Sequence, residues 1–129
     1  MSLPRKTLCI LLAIYVAVLF STALVLRAPM EQAQIHLELF WGFHSGGQAL
    51  WSNLINIGAF VPVGFLVGLL VGKYRVLKAA AAGLFLSETF ECLQLITLRG
   101  VFDVDDLFTN LTGALLGGLA GTLIVRLKR

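Results

Sequence analysis

Four apolar segments, at roughly 7–26, 53–72, 79–98 and 107–125, decide what this chain can fold into. Each has about the 20 residues that a helix needs to cross ~30 Å of hydrocarbon. Backbone groups in lipid must be satisfied within the protein, so only helices or closed barrels span a bilayer. No stretch alternates with the period of two that barrel strands require. The composition agrees: 58% of residues are hydrophobic and 13% charged, where a soluble domain carries about 25% charged residues. The polar connections are too short for a separate soluble domain. Residues 1–129 therefore read as a single all-α membrane domain, a compact bundle of four transmembrane helices.

The cations set the expected topology. Arg5 and Lys6 precede the first segment, Lys73, Arg75 and Lys78 lie between the second and third, and Arg126, Lys128 and Arg129 follow the fourth. Only Arg27 and Arg99 fall on the other side. Short loops rich in Lys and Arg stay cytoplasmic, which predicts both termini on the cytoplasmic side and outer loops at 27–52 and 99–106. The net charge of +3 then reflects membrane anchors; no basic stripe with interleaved aromatics points to nucleic acid. The first segment has signal-peptide features, with Ser21-Thr22-Ala23 as a cleavage site. Its apolar run continues through Leu26, however, which is long for such a signal and favours a retained span.

The longer outer loop has an apolar middle with interspersed charges at 35–41. This predicts a short interfacial segment anchored by Trp41 and Trp51. His36 and His44 read as solvated loop histidines. Cys9 and Cys92 belong to different depths of the membrane and read as buried, inert thiols without a bridge.

The stretch 87–118, SETFECLQLITLRGVFDVDDLFTNLTGALLGG, holds five of the seven acidic residues. A carboxylate in a bilayer costs several kcal/mol or more unless paired or hydrated. Helical spacing organises the polar groups. Asn53, Asn56, Phe60 and Gly64 form one stripe. Ser87, Glu91 and Gln94 form a second, with Glu88 one position off. Asp103, Asp106, Asn110, Gly113 and Gly117 form a third. Facing these stripes inward predicts a polar crevice opening outward, with Arg99 at its rim. The ridges Gly64/Gly68/Gly72 and Gly113/Gly117/Gly121 predict close approach of the second and fourth spans, or a homo-oligomer contact. Pro62 predicts a kink and a freed carbonyl near residue 58.

The run Glu91-Cys-Leu-Gln94, Arg99, Asp103-Val-Asp105-Asp106, Asn110-Leu-Thr-Gly113 and Gly117 resembles the signature of the VanZ-like bacterial membrane proteins. Asn53-Leu-Ile-Asn56 followed by Phe60-Val-Pro62-Val-Gly64 is similar to that family's other block. Together they cover about half of the chain, residues 53–118. The resemblance implies a multi-pass protein of the bacterial cytoplasmic membrane. It also implies a link to low-level resistance to the glycopeptide teicoplanin.

Three functions compete for the crevice. In the first, Asn53, Asn56, Glu91, Gln94, Arg99, Asp103, Asp106 and Asn110 bind a lipid-linked cell-wall precursor or a lipoglycopeptide. In the second, Glu88, Glu91 and Asp106 are catalytic carboxylates. Asp103, Asp105, Asp106 and Glu91 would form the oxygen set for a divalent metal, although no resident cofactor is predicted. In the third, the acids cap the fourth helix and the protein is structural or binds a partner. Binding is preferred over catalysis because no nucleophile–base pair is recognisable.

Overall fold

The computed structural model describes residues 3–129. It contains α1 (Arg5–Phe20), which continues through a π-helical turn (Ser21–Val25), the short α2 (Trp41–Ser45), and three long helices: α3 (Gly47–Leu70), α4 (Arg75–Thr97) and α5 (Val104–Leu127). Four helices, counting α1 with its π turn, are long and apolar enough to cross a membrane. Two two-residue strands, β1 (Ile35–His36) and β2 (Phe102–Asp103), pair in parallel and add a small element to an otherwise helical fold.

The last helix is the centre of the bundle. On one face Gly113, Gly117 and Gly121 lie against the backbone carbonyls of Ile57, Val61 and Phe65 in α3; a Cβ at Gly117 would collide with the Val61 carbonyl. From the other side Gly64 meets the backbone of Ala114. On its second face α5 meets α4, with Gly118 against Ala79 and Ala114 against Gly83. Such small-residue contacts are how helices associate in lipid, where burying apolar side chains brings little gain over lipid tails. Gly72 takes no part in this packing; nothing lies within 4 Å of where its Cβ would be.

The first helix lies on the outside of this three-helix core. Its contacts include Leu8, Leu24 in the π turn, and the Tyr15 hydroxyl, which donates to the Ala59 carbonyl at 2.7 Å. Helix α3 runs unbroken through Pro62, and Tyr15 reaches its backbone one residue beyond the carbonyl at 58. α3 also starts at Gly47, ahead of the apolar segment at 53. Gly46 and Gly47, at φ 64° and 55°, give the left-handed turn that separates it from α2.

The two loops at this end are stitched together. Met30 donates to the Leu98 carbonyl at 2.7 Å and Phe102 to the Gln34 carbonyl at 2.9 Å. The β1–β2 register then aligns Ile35 with Phe102 and His36 with Asp103. The segment expected to lie at the interface is thus tied to the loop before α5.

Candidate functional site

At the loop end of the bundle, remote from the basic ends of α1 and α5, the helices enclose a cavity of about 230 Å³. Arg27, Asn56, Glu91, Gln94, Asp106 and Asn110 form its polar wall, and Phe60 and Phe90 are among its apolar lining. Helical phase puts these groups there. In α4, Ser87, Glu91 and Gln94 recur at i, i+4 and i+7, and all three are buried. In α5, Asp106 and Asn110 are one turn apart, directly before the glycine ridge that draws α5 onto α3.

The polar groups form a partly completed network. Asn56 Nδ2 donates to Asp106 Oδ1 at 2.6 Å, and the Asp103 backbone N–H donates to Glu91 Oε2 at 2.9 Å. The Glu91 and Asp106 carboxyl groups face the same cavity, and Arg27 is the cation in its lining. Asn110 Nδ2 donates to Ser87 Oγ at 2.8 Å. Gln94 Nε2 donates to the Ala23 carbonyl at 3.0 Å, within the π turn. Here Ser21 and Thr22 also bond back to the carbonyls of Ala17 and Leu19. Each amide thereby uses one end on the protein, while Gln94 Oε1 and Asn110 Oδ1 stay buried with no partner. A buried polar group left without a partner costs about 1–3 kcal/mol.

Several of the residues singled out by sequence lie elsewhere, and Cys9 and Cys92, expected to be buried, are exposed on the helix surfaces. Arg99 does not stand at the rim of the crevice. Its Nη1 donates to the carbonyls of Arg27 at 2.8 Å and Val25 at 3.4 Å, and its side chain borders an apolar groove with Phe20, Leu24 and Leu93. It satisfies carbonyls left open where the first helix ends. The cation in the crevice is Arg27, whose position directly after an apolar span gave no sign of this role. Glu88 is exposed on the outer surface of α4, because one residue of helix turns it about 100° from the inward Ser87–Glu91–Gln94 face. Asn53 is buried, but against Gly42 and with its Nδ2 unpaired, outside the cavity lining.

The remaining acids hold the loops. Asp103 caps α5, its Oδ1 accepting from the Asp105 N–H at 2.9 Å, and lies 3.7 Å from His36 Nδ1. His36 is only half-exposed and packs edge-on against Trp41. His44 is exposed, with its Nδ1 2.7 Å from the Phe40 carbonyl. Asp105 is buried and accepts from the backbone N–H groups of Phe40 and of Gly42, the latter at 2.9 Å. It fixes the start of α2 and holds Phe40 at a left-handed φ of 64°. Among the described residues no group of three or more His, Cys, Asp or Glu side chains is placed to hold a metal ion.

Fold and site together define a small helical membrane protein with a polar crevice sunk into one end of its bundle. The chain belongs to the VanZ/LLP1 family, whose model matches residues 7–126, a span that includes the whole crevice and all but the outermost residues of the four long helices. No curated protein and no solved structure matches it.

Proposed function

We propose that the crevice binds the polar headgroup of an amphiphilic cell-envelope molecule at the outer face of the cytoplasmic membrane. The ligand class is a lipid-linked cell-wall precursor or a lipoglycopeptide of the teicoplanin type, and the outcome is glycopeptide resistance. The observation that carries this reading is the pair of buried, unpartnered amide oxygens, Gln94 Oε1 and Asn110 Oδ1. Both belong to residues lining the same cavity as Arg27, Glu91 and Asp106. A sugar or peptide headgroup brings the hydroxyl and amide donors that such acceptors lack, and Arg27 offers a charge-assisted contact to an anionic group. Charge supports the outer placement: eight of the ten basic residues lie at the other end of the helices.

A second reading rests on Glu91 and Asp106, which face the same cavity. Paired carboxyl groups in a cavity are a common arrangement for acid–base chemistry on a bound substrate. The two readings share the site and differ in whether the ligand is altered.

The test is teicoplanin susceptibility of a sensitive Gram-positive host expressing this chain, beside Glu91→Gln and Asn110→Ala at matched membrane levels. Protection by the wild type that both variants lose supports the proposal. A wild type without protection overturns the resistance role. A ligand recovered chemically changed from the wild type, but unchanged from Glu91→Gln, would favour the enzyme.

A further inference from the structure

The largest concentration of unopposed charge lies at the other end of the bundle. A cavity of about 340 Å³ there is bordered by Arg75, Arg126 and Arg129, with Tyr74, Thr122 and the backbone of Gly72. Arg75 is held in place: its Nη1 donates to the Gly68 carbonyl at 2.5 Å, one of the carbonyls left open at the end of α3. No acid sits nearby. All seven acidic residues fall within 31–38 and 88–106. Glu88, the acid closest to Arg75 along α4, is ~20 Å away along the helix axis at 1.5 Å per residue. The residues closing the cavity are the turn between α3 and α4 and the last turn of α5, where the spans end. Guanidinium groups in a concave site at a span end match a phosphate, which takes their paired N–H donors.

We infer that this cavity binds the phosphate of an anionic phospholipid headgroup in the leaflet at the basic end of the bundle. Arg126 supplies the free guanidinium, Arg75 a positioned one, and the apolar surfaces of α4 and α5 leave room for the acyl chains to continue into the bilayer. The site is separate from the crevice and does not depend on what the crevice binds.

Native mass spectrometry of the detergent-purified full chain tests this, using phosphatidylglycerol in a background of phosphatidylcholine. Wild type retains phosphatidylglycerol selectively. Arg126→Gln lowers that retention about fivefold, the factor corresponding to ~1 kcal/mol per basic residue. Arg126→Lys recovers part of the loss. Lys6→Gln, which removes a charge at the same end but outside the cavity, leaves retention unchanged. Equal losses in Arg126→Gln and Lys6→Gln would reduce the effect to general surface attraction and overturn the site. Inorganic phosphate raising the melting temperature as much as the lipid does, and displacing it, would overturn the lipid assignment in favour of a soluble anion.

Discussion

Arg99 donates to the backbone carbonyl of Arg27 at 2.8 Å, so one arginine fixes the chain from which the other reaches the crevice. No other arginine or lysine lies at this end of the bundle, and the fold gives the two different tasks. Arg99 holds backbone, and Arg27 lines the crevice with Asp106.

Removing each arginine should therefore fail differently. Arg99→Ala leaves carbonyls of the first helix end without a donor and should cost about 1–2 kcal/mol of stability, with Arg99→Lys in between. Arg27→Gln should change stability by less than ~0.5 kcal/mol, as a surface substitution does. Its effect should appear as lost protection in the susceptibility assay. Unfolding in detergent, read beside that assay, checks the contrast; equal destabilisation by both would contradict it.

Asp105 should matter more to stability than its place in a short acidic run suggests. Asp105→Ala strips the acceptor from two backbone N–H groups at α2, at about 1–3 kcal/mol for each buried group left unpaired. Asp105→Asn keeps one acceptor oxygen and should be intermediate. Limited proteolysis supplies the readout: cleavage within 36–46 should accelerate in the order wild type, Asn, Ala. Unchanged cleavage in Asp105→Ala would remove Asp105 as the anchor.

The glycine ridge makes a sharp positional claim. Gly117→Val places a branched side chain against the Val61 carbonyl and should destabilise by about 1–3 kcal/mol or more, because a well-packed contact must open. Gly72→Ala meets open space and should stay within about 0.5 kcal/mol of wild type. Size-exclusion profiles and melting curves of the two variants at equal expression decide this.

Glu88 and Glu91 are adjacent on one helix and should behave as opposites. Glu91→Gln should abolish crevice function. Glu88→Gln should leave it intact and, by removing a carboxylate from the outer surface of α4, should stabilise the protein in lipid by on the order of 1–3 kcal/mol. Loss of function in Glu88→Gln, with folding preserved, would show that this surface takes part after all.

What the sequence made legible follows periodicity and hydropathy. Twenty-residue apolar runs mark the spans because bilayer thickness is a fixed ruler. Ser87, Glu91 and Gln94 stand out because helical spacing fixes which side chains share a face. The same rule leaves Glu88 ambiguous until the inward face is known. The roles of Arg27, Arg99 and Asp105 were hidden for another reason. Asp105 and Arg99 bond backbone groups 60 to 75 positions away, and Arg27 meets its crevice neighbours only through the fold. The β1–β2 pair is equally silent, since two residues cannot display alternation. Within the set Asp103, Asp105, Asp106 and Glu91, closeness in sequence does not reveal the separate tasks of its members: Asp103 caps α5 and Asp105 anchors the loop before α2.

The stitching of the first loop onto the last helix also dictates an order of events. Phe40 and Gly42 leave the ribosome long before Asp105, so during synthesis their amides have no acceptor until the final span arrives. Ser87 likewise waits for Asn110, and Asn56 for Asp106. A nascent chain halted after α4 would hold three inserted helices and no finished crevice. The crevice is complete only once the last segment is in place, and a truncated or half-inserted copy lacks it.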